Sequence, residues 1–152
     1  MAMRANYFDL AADGINILMK QESYLQQQFT HSEVITVTLW EMVKLRISQI
    51  NQCAFCIDLH SRSAQKHGES AERLLGLSAW RDMPMYSDIE RAALEWAELL
   101  TQGNAINDAT YQHKVAILGE QALVDLTIAV NAINSWNRMA KTFKPLVGSF
   151  EV

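Results

Sequence analysis

The residues best suited to chemistry in this sequence are its two cysteines and a nearby histidine: Cys53, Cys56 and His60. If the segment is helical, positions i, i+3 and i+7 lie within about 60° of one another around the helix axis. Two thiols three residues apart can form a disulfide with little backbone movement. A histidine one turn further on can accept or relay the thiol proton. The spacing therefore indicates thiol redox chemistry.

A fourth candidate is Glu41, an acidic residue inside the otherwise apolar segment 39–43. Burial disfavours an ionised carboxyl group, so we expect a raised pKa for Glu41, which would suit proton exchange near neutral pH. The competing interpretation is that Glu41 pairs with Lys44 three residues later and stays in solvent. The sequence pattern leaves both interpretations open.

Two other interpretations of the cysteines compete with redox chemistry. Free cysteines are often buried as small apolar side chains. A structural zinc site normally has four protein ligands, so zinc would need Cys53, Cys56 and His60 together with a carboxylate or another histidine. A thioredoxin-type motif would follow a strand in a βαβ unit, and this one does not. We expect neither a bound cofactor nor a bound metal.

Composition limits the class of protein. The chain has 152 residues, of which 49% are hydrophobic and 20% charged, and we expect one globular domain over residues 1–152. Its formal net charge of −4 argues against a nucleic-acid partner, which would need clustered lysine and arginine. No apolar stretch approaches the roughly 20 residues of a membrane span, and the N-terminal segment does not resemble a secretory signal. We therefore expect a cytoplasmic protein.

The hydrophobic pattern recurs every three or four residues and predicts an all-α bundle of six to eight helices. Asn51 is a good N-cap residue, which would place Cys53 in the exposed first turn of a new helix and Cys56 one turn deeper, nearer His60. Trp136 falls on the apolar stripe of the last helix, which favours a packing role. The expected helices span about 5–19, 24–29, 32–50, 51–67, 70–77, 87–101, 107–118 and 121–143. Ser32 with Glu33 is expected to open the third of these, and the capping-box pattern of Ser87 and Glu90 the sixth.

The sequence contains a longer pattern, in which a glutamate is followed by eleven residues and then by C-x-x-C-x-x-x-H. Its members are Glu41, Cys53, Cys56 and His60. It resembles the signature of the alkyl hydroperoxidase D-like (AhpD-like) branch of the carboxymuconolactone decarboxylase family. The resemblance implies an AhpD-like helical bundle and a homo-oligomer, either trimer or hexamer. It is supported by further similar segments at 45–51, 77–80, 90–94 and 132–138.

The resemblance also implies roles for these residues. Cys56 would attack a peroxide substrate, Cys53 would resolve the resulting sulfenic acid to a disulfide, and His60 with Glu41 would form the proton relay. An unidentified thiol or dithiol would act as the reductant. The chain has Phe55 where the best-studied peroxidases of the family carry a second histidine.

The leading hypothesis is therefore a thiol-dependent alkyl hydroperoxidase or disulfide reductase that serves antioxidant defence. The alternative is a non-enzymatic redox-sensing or zinc-binding helical module that uses the same cysteines. Glu41 favours the enzyme, because a relay carboxylate serves catalysis and not simple sensing.

Overall fold

Eight α-helices and one short 3₁₀ turn make up the secondary structure of the computed structural model, which describes residues 3–152 and contains no β-strand within them. The prediction of an all-α fold is confirmed. The helices are α1 (Tyr7–Leu10), α2 (Ala12–Thr30), α3 (Val37–Ile50), α4 (Ala54–Lys66), α5 (Ala71–Gly76), α6 (Asp88–Thr101), α7 (Asp108–Leu118) and α8 (Glu120–Phe143), with the 3₁₀ turn Leu77–Ala79 directly after α5.

Side-chain caps explain where several of these helices begin. A hydroxyl or amide oxygen just before the helix accepts a hydrogen bond from a backbone N–H of the first turn, which would otherwise lack a partner. Ser87 and Glu90 form the predicted capping box at the start of α6. The other side-chain caps are Thr36 for α3, Ser70 for α5 and Asn107 for α7.

The N-terminal part of the prediction was wrong in two places. The segments expected at 5–19 and 24–29 are instead the single turn α1 and the continuous 19-residue helix α2. Ser23 does not interrupt α2, because its hydroxyl donates to the carbonyl of Met19 within the helix. Ser32 does not open α3 either. Its hydroxyl accepts the N–H groups of Val34 and Ile35 in a turn that precedes the helix.

The connection between α3 and α4 also differs from the prediction. Asn51 is the C-cap of α3 and not the N-cap of α4. Gln52 then adopts a left-handed conformation with φ of 55°, and Cys53 is an extended N-cap residue outside α4. The reason is tertiary, because the side-chain amide of Asn51 donates to Asn134 and Asn137 of α8, at 2.9 Å each. These bonds hold the cysteine-bearing turn against α8.

Helix α3 lies at the centre of the bundle and packs against α2, α4, α6 and α8. Most of its side chains are buried, which accounts for its broad apolar stripe. It also buries three polar residues, Glu41, Lys44 and Ser48. Buried polar groups need partners, so these positions direct attention to the contacts of α3 with α4 and α8.

Within residues 3–152 no single helix has the length and apolar composition needed to cross a membrane. Taken together, α7 and α8 have that length and composition, but the two helices are bent by 109° where they join.

Replacing Asn51 with alanine should lower the free energy of unfolding by about 1–3 kcal/mol, because it leaves the buried side-chain oxygen of Asn137 without its donor. Urea unfolding followed by circular dichroism measures the change. The matched control is Gln49→Ala, two residues earlier in α3, whose side chain has only a 3.5 Å contact with Arg46. The control should stay within about 0.5 kcal/mol of the parent. Equal stability of both variants would contradict the role given to Asn51.

Candidate functional site

The carboxyl group of Glu41 is buried between two partners and is only 5% exposed. Its Oε2 lies 2.8 Å from Nδ1 of His60 on α4, and its Oε1 lies 2.5 Å from Nζ of Lys44. The Lys44 ammonium in turn lies over the Trp40 ring, 3.6 Å from its centroid. The predicted pairing with Lys44 is therefore present, whereas the predicted solvent exposure of that pair is wrong.

The pKa of Glu41 is shifted in the direction opposite to the predicted one. Burial by itself raises the pKa of this carboxyl group, but the hydrogen bond from His60 and the charge of Lys44 oppose it. Together they lower the pKa of Glu41 to about 2. The group is thus ionised at neutral pH, and the expectation of a raised pKa was wrong because it counted burial without the two partners.

His60 is held in its neutral form by the same surroundings. Burial lowers its pKa, the charge of Lys44 lowers it further, and the hydrogen bond with Glu41 opposes both only in part. A carboxylate accepts hydrogen bonds and cannot donate them, so Nδ1 of His60 carries the hydrogen that is donated to Glu41. The lone pair of the neutral ring then lies on Nε2. This nitrogen can accept a proton from a neighbouring thiol.

Cys53 and Cys56 are joined in a disulfide, with their Cα atoms 5.3 Å apart. Both side chains are buried, at 1% and 3% exposure, and they pack against Phe55 and Ala140. The predicted exposure of Cys53 is therefore wrong, because the turn that carries it is held against α8. Cys56, and not Cys53, occupies the first turn of α4. A helix N-terminus favours a thiolate, so this effect acts on Cys56 in the reduced protein.

A cavity of about 370 Å³ adjoins this cluster. Glu41, Lys44, Cys56 and His60 all line it, whereas Cys53 does not. The remaining wall is largely apolar and includes the predicted packing residue Trp136. Its other lining residues are Tyr7, Phe8, Met19, Glu22, Phe55, Leu59, Ser63, Ile133, Ala140, Pro145, Phe150, Glu151 and Val152.

The C-terminal segment 145–152 forms one side of this cavity. It is attached to α4 by a hydrogen bond of 2.9 Å from the Arg62 guanidinium to the backbone carbonyl of Phe150. The Phe150 ring meets Phe55 edge-on, at 6.0 Å between centroids, and stacks against Phe8 at 6.3 Å. Three aromatic rings from distant parts of the sequence therefore shape the cavity wall next to Cys56.

Glu22 of α2 is a cavity residue that the sequence analysis missed. Its Oε1 accepts a 3.1 Å hydrogen bond from the indole N–H of Trp136. Burial raises the pKa of Glu22, and the charge of Lys44 and the bond from Trp136 oppose the rise only in part. The sequence did contain a signal for the burial of Glu22, because this residue lies seven positions from both Ile15 and Phe29. Both of those residues are buried on the same face of α2.

No group of three or more histidine, cysteine, aspartate and glutamate side chains is arranged to hold a metal ion in the described part of the chain. What the residues do bring together is a proton acceptor, an ionised carboxylate and a sulfur atom at one cavity. This arrangement can take a proton from Cys56 and stabilise the charge that then forms on the imidazole ring.

The chain is similar to one known protein family and to individual proteins of known sequence. Residues 22–99 match the model of the carboxymuconolactone decarboxylase family. The uncharacterised protein YdfG of Bacillus subtilis is 39% identical over 142 residues, which cover 92% of this chain and 93% of YdfG. The uncharacterised protein YnjA of Escherichia coli is 35% identical over 94 residues, 61% of this chain, and the match spans about half of YnjA, 52% of its length.

Two solved structures share the fold. A protein of unknown function from Agrobacterium tumefaciens, described as a candidate antioxidant defence protein AhpD, superposes with a TM-score of 0.84 and 31% identity over 99% of both chains. An uncharacterised peroxidase-related protein from Silicibacter sp. TM1040 gives a TM-score of 0.79 over 91% of this chain and 72% of that one. At 18% identity, the second comparison supports the fold alone.

Replacing His60 with glutamine should weaken the dependence of stability on pH in the disulfide form. The folded-state pKa of His60 lies below its ordinary value of 6.5, so the unfolded chain binds more protons than the folded one below that pH. The parent therefore loses stability as the pH falls from about 7 towards 5, and the variant lacks this component.

Urea unfolding of both proteins at several pH values measures the difference. Glu41 does not interfere in this range, because its stabilising effect is lost only as the pH falls from its ordinary 4.5 towards about 2. Parallel curves of unfolding free energy against pH would contradict the assignment.

Proposed function

Since the chain belongs to the carboxymuconolactone decarboxylase family as an AhpD-like member, we propose that it is a thiol-dependent oxidoreductase that reduces hydroperoxides with its cysteine pair. The observation that carries the proposal is the position of Cys56. It lines one cavity together with a neutral histidine and an ionised glutamate, which are the groups that a thiol needs for activation.

The first step of the proposed reaction activates Cys56 in the reduced protein. Nε2 of His60 accepts the thiol proton, and the ionised Glu41 stabilises the imidazolium that forms. The position of Cys56 in the first turn of α4 favours the thiolate further. Lys44 keeps Glu41 ionised, so the carboxylate orients His60 and does not compete with it for the proton.

The thiolate of Cys56 then attacks one oxygen of the hydroperoxide. A sulfur–oxygen bond forms, the oxygen–oxygen bond breaks, and sulfur loses two electrons to give the sulfenic acid and an alkoxide, which takes up a proton to become the alcohol. Cys53 next attacks the sulfur of Cys56, which releases water and forms the disulfide. An external thiol or dithiol, which we leave unidentified, returns two electrons and two protons to the pair. The Cα separation of 5.3 Å fits the disulfide end of this cycle.

The lining of the cavity supports an organic hydroperoxide as the substrate. Phe8, Phe55, Leu59 and Ile133 provide apolar surface close to Cys56. Lys44 is the one lysine or arginine among the described lining residues, and it is paired with Glu41, so the cavity offers no free ammonium or guanidinium to an anionic substrate. An alkyl or aryl substituent would be stabilised by burial here, whereas hydrogen peroxide would not.

The thiol assignment predicts opposite behaviour for two serine variants. Reduced Cys53→Ser should undergo one fast oxidation by cumene hydroperoxide and stop at the sulfenic acid, because it retains the attacking thiol and lacks the resolving one. Cys56→Ser should lose the fast oxidation. Stopped-flow fluorescence with mass measurement of the trapped species records both. If Cys56→Ser reacts as fast as the parent while Cys53→Ser does not, the two roles must be exchanged.

Replacing Glu41 with glutamine should slow the oxidation of Cys56 by about 10²–10⁴-fold, because the imidazolium of His60 loses its stabilising charge. Glu33→Gln removes an equal charge from the exposed segment before α3 and should react like the parent. Glu41→Asp retains the charge and serves to separate loss of the carboxylate from loss of folding. Full activity of Glu41→Gln would remove Glu41 from the relay.

A further inference from the structure

The proposed reaction has two basic leaving groups, the alkoxide and later the hydroxide, and the Glu41–His60 pair carries only one proton at a time. When the oxygen–oxygen bond of a hydroperoxide breaks, the leaving oxygen carries the electron pair away as an alkoxide. Alkoxides are strong bases and poor leaving groups, so a positioned acid accelerates this step. Glu41 is ionised and has no proton to donate. His60 holds the single proton that it takes from Cys56, so a further acid serves the second leaving group.

Glu22 is the other carboxyl group on the same cavity, approached from α2. The indole N–H of Trp136 fixes one of its oxygens at 3.1 Å, which leaves the second oxygen free of side-chain partners in the described chain. No lysine, arginine or histidine of residues 3–152 forms an ion pair with Glu22, in contrast to Glu41 with its two cationic or hydrogen-bonding partners. Lys44 lines the same cavity but is bound to Glu41.

The two glutamates therefore have surroundings that separate their protonation states. Burial raises the pKa of Glu22, whereas the partners of Glu41 hold its pKa far below the usual range. A pair of carboxyl groups whose environments move them in opposite directions is a common basis for acid and base roles in one site. In the reduced protein, the titratable groups that share the cavity with Glu22 are Tyr7, Glu41, Lys44, Cys56, His60 and Glu151.

We propose that Glu22 is the acid of the site and donates its proton to the leaving oxygen of the hydroperoxide. In this step the Cys56 thiolate forms the sulfur–oxygen bond, the oxygen–oxygen bond breaks, and the Glu22 proton converts the alkoxide to the alcohol. Glu22 becomes a carboxylate and regains a proton from solvent. Cys53 releases its thiol proton to solvent and attacks the sulfenic acid, and the imidazolium of His60 protonates the hydroxide that leaves. The sum is two thiols and one hydroperoxide giving one disulfide, one alcohol and one water.

The experiment compares Glu22→Gln with the parent in single oxidation of the reduced protein by two oxidants. The leaving group of tert-butyl hydroperoxide is an alkoxide, which needs a proton. The leaving group of peracetic acid is a stable carboxylate, which does not. Glu22→Gln retains the acceptor for Trp136 and loses the acid. It should slow the hydroperoxide reaction by about 10²–10⁴-fold and leave the peracid reaction within a few-fold of the parent.

The pH profile gives a second readout that a purely structural role would not move. In the parent, the hydroperoxide rate should fall as the pH rises through the raised pKa of Glu22, and this fall should be absent in Glu22→Gln. Glu22→Asp keeps an acid and should recover part of the rate, while Glu33→Gln should behave like the parent. Equal slowing with both oxidants, or none with either, would overturn the role of Glu22. A parent that reacts with neither oxidant would overturn the proposed function itself, and this inference with it.

Discussion

A carboxylate can be buried among helices only if its charge is compensated, and this constraint governs the centre of the protein. Glu41 meets it with one cation from its own helix, Lys44, and one hydrogen-bond donor from α4, His60. Removing one partner from such a buried pair generally costs about 3–5 kcal/mol, because the remaining charge is left alone. The contact between α3 and α4 therefore fixes which nitrogen of His60 faces outward and what that nitrogen can do.

The second requirement is that the sulfur atoms reach this pair. Helix α4 starts immediately after Cys53, and its first turn carries Cys56 to the cavity. The direction of α4 depends on the preceding turn, which Asn51 ties to α8. The Lys141 ammonium adds a further bond of 2.6 Å to the backbone carbonyl of Asn51. Helix α8 thus positions Cys56 although it contributes no sulfur atom to the disulfide and no partner to the Glu41–His60 pair.

Local signals predicted much of this architecture, and tertiary contacts account for what they missed. The apolar spacing of α8 and the capping box of α6 placed those helices within a residue of their observed starts, because caps and periodicity are properties of a short segment. Asn51 was misassigned because its partners lie more than 80 residues away. The C-x-x-C-x-x-x-H spacing predicted that Cys53, Cys56 and His60 lie near one another, and the structure places them in neighbouring parts of one cluster. It did not reveal the ionisation of Glu41, which depends on where His60 lies in space, or that α2 brings Glu22 to the same cavity.

The segment 145–152 that closes one side of the cavity has a practical consequence for handling the protein. Any residues fused after Val152, such as a purification tag, begin at the cavity wall, beside the carbonyl that Arg62 binds and the ring that contacts Phe55. Such an addition would place new atoms next to the aromatic wall. Measurements on this cavity are therefore best made with nothing added after Val152.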